Sequence, residues 1–474
     1  MKSRFRNVCN KHVSKKKVCK ELQWLILLLL VIAALSVFVF RQYVIDGFVL
    51  CSKGLWSDLL RANLPTYYQL YDSILEGGNF WSWNMGLGTS MFSHADTYFD
   101  LFTYIVFLFG RTYIPNMMIF VLIVKIMCEG MSFFIYLKYF QLDERAVLLA
   151  SVVYAFSGYS LIIGNNFALG TVLVYGPIVF LGIEKWIDTG RVRTLIVSLF
   201  FTCIYSYYFF FVLGLLSVIY VCVRAYQKRK PLMPKLVTLA GIAVLVILLS
   251  SFALLPQIEL TLSSDRVKGA KDVTHGLGLW IPQLKVFATA VIRSVSGDLL
   301  GNPVTGEYRG SAYFQIRDYF QVSCFTTSFL PILAVQYWIN EKKYRKHFLA
   351  IAGIASILIL FPIISFILNA FATVNARWMF MITILECILV GVSVDSMVKH
   401  GGIHGKGLFT GILASFALIV CGVAVLSLGT TDFGEYFFSY LYHGRKFIYV
   451  LCLEYTLLAG IYLLLQFSKT TYRK

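Results

Sequence analysis

The acidic residue of "GLWSDLLRANLPTYYQLYDSILE", Asp58, follows closely on the first long apolar run of the chain. A carboxylate pinned beside a membrane can take a proton from a hydroxyl or hold a cation for a phosphate. The same residue can instead cap the helix predicted over 59–76, because Asp accepts bonds from the first free N–H groups. The residues alone leave both roles open. Downstream, "HADTYFD" places His94 and Asp96 two residues apart, with Asp100 close behind. With Asp58 this pair can bind a divalent metal, and turn chemistry explains it equally well. "SGY" and "GNN" over 157–166 mark a turn in which Asn165 and Asn166 can hydrogen-bond a sugar, and loop chemistry predicts those asparagines just as well. Lys125 and Glu129 stand four apart inside an apolar run. Charges there are functional suspects by default, although an i, i+4 pair would neutralise them cheaply. "GLG" at 86–88 lacks the preceding strand and the lysine of a phosphate loop, so its glycines are read as allowing a tight turn.

The elements that must carry these residues are set by composition. Hydrophobic residues make up 58% and charged ones 14%, against about a quarter charged in an ordinary soluble chain. That excludes a soluble multidomain protein and predicts an all-α polytopic membrane protein. A bilayer core of about 30 Å needs about 20 apolar residues per helix. Runs of that kind lie near 24–41, 114–137, 146–163, 169–187, 194–207, 209–223, 236–256, 321–339, 347–368, 377–396, 407–428 and 447–467. About twelve transmembrane helices are therefore expected. The short pair over 194–223 is also readable as one re-entrant hairpin.

The net charge of +18 is read as a membrane signature, with no nucleic-acid partner, because basic residues collect on cytoplasmic loops. With the N-terminus inside, the inner segments hold 27 of the 42 Lys and Arg, so both termini are predicted cytoplasmic. The predicted organisation is a basic cytoplasmic N-terminus over 1–23, one transmembrane domain over 24–467 and a cytoplasmic tail over 468–474. Residues 24–40 read as a retained signal anchor, since no small-residue cleavage site follows. The ten cysteines include no CxxC pair, and most lie in apolar runs, so they read as small buried residues.

Two outer loops, 42–113 and 257–320, are far longer than the others, and long loops are where function concentrates. In the first, apolar and aromatic residues at 59, 60, 64, 67, 68, 71, 74 and 75 recur at nearly helical spacing. An interfacial helix is expected, with Tyr67, Tyr68, Trp81 and Trp83 at headgroup level.

"SDLLRANLPTYY", "LEGGNFWSWNMGLG" and "TYFDLF" resemble the first outer loop of the YfhO family of bacterial membrane proteins. The similarity continues in order through "VYAFSGYSLIIGNNFALGTVLVYGPIVFLGIEKW" (153–186), "SYYFFF" (206–211), "LLPQIELTLSSDR" (254–266) and "NARWMF" (375–380). That family in turn resembles lipid-dependent sugar transferases of the GT-C fold. The resemblance implies a GT-C-like architecture in the bacterial plasma membrane. It implies an inverting glycosyltransferase that takes its sugar from a polyprenyl-phosphate donor on the outer face. Asp58 matches the catalytic base, and the acceptor would be a cell-envelope polymer of the teichoic acid kind. Arg377, at the start of a helix, is the first candidate for the departing phosphate, since guanidinium makes planar two-point contacts. Its other reading is an arginine snorkelling to the interface. Arg266 and Arg309 are further phosphate candidates, and Tyr67, Trp83, Tyr98, Asn165 and Asn166 are candidates for substrate contact. The resemblance supports Tyr98 better than His94 and calls for no particular cofactor; a divalent metal at His94 and Asp96 stays an alternative to turn chemistry.

Chains of this family are usually longer, with a sizeable outer domain near the C-terminus. Here only "TTDFGEYFFSYLYHGRKF" lies outside near that end, so a different acceptor or a partner protein is expected. The competing readings are a multi-pass transporter or lipid flippase, which would place broken helices and ionisable groups near mid-membrane, and a scaffold for envelope enzymes, in which Asp58 would be replaceable.

Overall fold

The computed structural model describes residues 15–50, 63–263, 277–296, 299, 324–428, 434, 437, 438, 441 and 445–471, less 76, 78–80, 84–87, 91, 93, 94, 164–166, 370, 372, 373 and 375. The apolar runs form helices because a backbone in lipid must satisfy its own polar groups. α1 spans Lys15–Val39. After it come α2 (Leu64–Leu75), a minimal hairpin pairing Trp81 with Ser90 and Ser82 with Thr89, and α3 (Ile114–Lys138). Next are α4 (Glu144–Ala155), α5 (Val172–Thr189), α6 (Arg193–Tyr205), α7 (Tyr207–Lys228), α8 (Leu232–Leu249) and α9 (Ser251–Ser263). The second half comprises α10 (Leu284–Val295), α11 (Leu330–Asn340), α12 (Arg345–Leu360), α13 (Pro362–Leu368), α14 (Phe380–Lys399), α15 (Gly405–Ser427) and α16 (Arg445–Thr471).

Among the described residues, eight helical segments are long and apolar enough to cross a membrane, or nine if α12 and α13, bent by 85°, count as one span. Three of the twelve runs read from the sequence fall outside that set. α6 has 13 residues and α11 has 11, while α5 carries Glu184, Lys185 and Asp188 in its last two turns. The bend between α12 and α13 falls at Pro362, whose ring cannot continue a helix ladder. The chain is an all-α polytopic membrane protein.

Ends and turns follow from local sequence. The Asp143 carboxylate accepts from the Arg145 N–H at 3.0 Å and caps α4. Gly190, with φ of 79°, closes α5 by returning its N–H to the Trp186 carbonyl at 2.9 Å. Gly88 has φ of +105° and lies close against the rings of Trp81 and Trp83, while Gly86 and Leu87 of the "GLG" stretch lie outside the described residues.

Packing divides into two hydrophobic clusters. The larger joins α1, α3 to α8 and α14. The smaller joins α10, α11, α15 and α16. α10 lies in the predicted loop 257–320, yet Ile292 is fully buried where α15 supplies Gly422. The end of the bundle predicted to face the cytoplasm is stitched by charge. Glu184 of α5 pairs with Arg224 and Lys228 of α7, and Lys228 also reaches Asp188 at 2.7 Å. Tyr139, just beyond α3, donates to Asp188 at 2.7 Å.

Candidate functional site

The long segment after α1, predicted to be the first outer loop, returns to the bundle through α2 and a single helical turn, Ala95–Tyr98. On α2 the expected apolar face is present. Tyr67 and Leu70 are buried, the Tyr71 ring meets Phe107 edge-on at 5.5 Å, and Arg111 lies 4.8 Å from the centre of the Tyr68 ring. Arg111 also pairs with Asp72 at 2.8 Å, closing the loop onto the start of α3. Gln69 donates to Ser82 and ties the hairpin to α2.

Below this turn lies a buried charged centre. Lys125 Nζ donates to Asp100 Oδ2 at 2.7 Å, and each side chain is 1% exposed. Thr171 Oγ1 donates to the same oxygen at 2.9 Å, while Asp100 Oδ1 accepts the Phe102 N–H at 3.2 Å. The Phe102 ring lies 5.4 Å from Lys125 Nζ. An ion pair in such surroundings has lost most of its hydration, so removing one partner costs about 3–5 kcal/mol. This adds to the i, i+4 expectation: Lys125 stays within electrostatic reach of Glu129, but the ion pair it closes is with Asp100 from the preceding loop. Glu129 instead accepts from Ser160 Oγ at 2.6 Å. A buried lysine demands an acid, and helical spacing gave only one of its two, because Asp100 comes from a loop that descends to the depth of Lys125.

Two predicted site residues, Tyr67 and Asp96, lie near this centre, and two more, Tyr98 and Arg377, are held by other partners. Tyr67 is 2% exposed and senses both Asp100 and Asp96. Burial chiefly, helped by those two carboxylates, holds its phenol well above the usual tyrosine range. Tyr67 therefore stays a neutral hydroxyl. Asp96 also lies within electrostatic reach of Tyr205, which is hydrogen-bonded with Thr171. Tyr98 packs against Phe92 and Phe99 at 5.6 and 5.1 Å, and its carbonyl accepts from the Tyr104 hydroxyl at 2.8 Å. Arg377 is half-buried in the turn that opens α14, as its sequence context predicts. Its carbonyl accepts from the Tyr159 hydroxyl at 2.7 Å, and Tyr159 and Tyr208 lie within electrostatic reach of its guanidinium. Beside it the buried Trp378 donates to Ser365 Oγ at 3.0 Å, linking α14 to α13.

Trp83 stands apart. It is 75% exposed and meets only the neighbouring Trp81 ring, edge-on at 5.6 Å, among the described aromatic pairs. Asp58, His94, Asn165, Asn166, Arg266 and Arg309 lie outside the described residues. Among the described residues there is no group of three or more His, Cys, Asp or Glu arranged to hold a metal ion. Sequence reasoning gave no part to Thr171, Tyr159, Ser160 or Tyr205. Their types are common in apolar runs, and only the partner across the bundle distinguishes them.

No curated protein and no solved structure matches the chain. A family model does, described as bacterial membrane protein YfhO, over residues 25–472. With nearly its whole length matched, the chain belongs to the YfhO family of bacterial membrane proteins.

Proposed function

We propose that this protein is a membrane glycosyltransferase that moves a sugar from a polyprenyl-phosphate donor to a cell-envelope acceptor on the outer face of the membrane. Asp58 takes the proton of the acceptor hydroxyl as its oxygen attacks the anomeric carbon. The bond from that carbon to the phosphate oxygen breaks, the configuration inverts, and polyprenyl phosphate departs with the electron pair. Arg377, with Arg266 and Arg309 from the second loop, neutralises the growing phosphate charge. The tyrosines and asparagines of the outer turns line the path of the sugar, and a divalent metal at Asp96 and His94 is compatible with this chemistry. The acceptor is of the teichoic acid type.

The observation that supports this reading is a relay of neighbours in a YfhO-family bundle: Tyr67 near Asp96, Asp96 near Tyr205, Tyr205 near Tyr159, and Tyr159 donating to the Arg377 carbonyl. The deciding comparison is wild type against Asp58→Asn at matched membrane abundance, assaying transfer from a polyprenyl-phosphate sugar. Loss of a general base predicts a fall of about 100-fold or more. Full activity in the variant removes the mechanism and leaves Asp58 as a helix cap or a scaffold residue.

A second reading, transport or lipid flipping, is favoured by the broken second half. Residues 324–327 are non-helical ahead of α11, and α12 and α13 meet at 85°. Carboxyl groups meet the first of these breaks: Thr326 donates to Glu386 at 3.1 Å and Ser328 to Glu454 at 2.7 Å. Discontinuous helices with ionisable groups are typical of transporters. Reconstituted vesicles that move the lipid-linked sugar across the bilayer without transferring it would establish this reading over the first.

A further inference from the structure

Three stretches distant in sequence meet at one carboxylate. Asp100 belongs to the loop that carries Tyr67, Asp96 and Tyr98. Lys125 stands in the middle of α3, and Thr171 immediately precedes α5. Both oxygens of Asp100 are engaged, one by the Lys125 ammonium and the Thr171 hydroxyl, the other by the Phe102 N–H. Thr171 gives no side-chain cap to α5, so its hydroxyl is spent on this junction and on Tyr205.

We propose that Asp100, Lys125 and Thr171 form a buried clasp. It fixes the first outer loop onto α3 and α5, and so sets the position of the groups that act on the substrate, touching no substrate itself. This assignment rests on the transferase reading for its consequence, though not for its geometry. Lys125, matched by Asp100, is on this view a positioning residue, and the donor phosphate is left to Arg377 in the turn that opens α14. The arrangement suits that task. An ion pair nearly free of solvent is not screened by salt and exchanges little with water, so the loop stays seated whichever substrate is bound.

Thr97 lies on the same turn and is 8% exposed, which makes it a reporter of seating. With Thr97→Cys in an otherwise wild-type chain, a membrane-impermeant maleimide applied to right-side-out vesicles should react slowly. Adding Lys125→Met or Asp100→Asn should raise that rate at least about tenfold by local opening. The same variants should lower kcat per accumulated molecule about tenfold or more, with donor KM moving about twofold at most, because misplaced groups cost rate before they cost binding. If the charge variants fail to accumulate, Thr171→Val keeps both charges and removes one hydrogen bond, and its labelling should rise about threefold. Unchanged protection in every variant that accumulates overturns the clasp. Raised labelling with unaltered kcat overturns its positioning role. A wild-type protein that transfers no sugar refutes the transferase reading, and the labelling rates still decide the clasp.

Discussion

Asp143 stands just ahead of α4, where its carboxylate accepts the Arg145 N–H at 3.0 Å and Arg145 Nε at 3.1 Å. The side-chain bond from Arg145 is the largest influence on it, and the carboxyl is held below the ordinary value of 3.8. A carboxylate depressed in the folded state stabilises fully above its unfolded value and loses that contribution as pH falls through its folded value. Asp143→Ala should therefore lower stability by about 1 kcal/mol at neutral pH, the usual worth of a helix cap. The gap to wild type should close as pH drops below 3.8, where the native carboxylate takes up its proton. Thermal unfolding in detergent at a series of pH values measures this, and a gap independent of pH would show that the cap's charge is irrelevant. The contrast with Asp100 is instructive. Both are acids at the edge of an apolar run, yet one remains within reach of water and the other is sealed against Lys125. Position in the chain did not separate them.

α5 and α6 form one of the closest helix pairs in the molecule. A Cβ on Gly182 would lie 2.7 Å from the backbone of Leu195, so the two helices meet only because Gly182 lacks a side chain. Gly182→Ala must push them apart, and overpacking of this kind costs about 1–3 kcal/mol. Gly214 on α7 faces open space, so Gly214→Ala should be neutral or slightly stabilising through helix propensity. A lower melting temperature for the first variant and not the second, in the same detergent, is the expected result. Equal melting temperatures would mean that close approach is unimportant. α10 shows a different side of element packing. Its 12 residues are too few to cross a bilayer, and from sequence it belongs to a loop, yet it supplies buried side chains to the second hydrophobic cluster.

At the scale of the whole molecule, the alternation of helices places the turns 190–192, 229–231 and 400–404 at the basic end and Ser206 at the other. The positive-inside bias then predicts the basic end to be cytoplasmic. In intact cells a membrane-impermeant maleimide should label Trp83→Cys and leave Arg191→Cys and Arg229→Cys unlabelled above the background of native cysteines. The reverse pattern would invert the topology and put Asp58 on the wrong side for a lipid-linked donor. Class, most helix positions and the amphipathic helix α2 were legible in the chain, because they follow from composition and from local patterns such as apolar length, aromatic spacing and caps. Tyr67 on the apolar face of a helix and Arg377 at a helix start were readable for the same reason, whereas the burial of Tyr67 inside the protein, in place of the headgroup level expected of it, was not. The partner of Lys125, the link from Tyr159 to Arg377 and the burial of α10 were settled only by tertiary structure. Each depends on residues far apart in sequence meeting in a medium without water, and one-dimensional spacing holds no record of which distant group will satisfy a buried charge or hydroxyl.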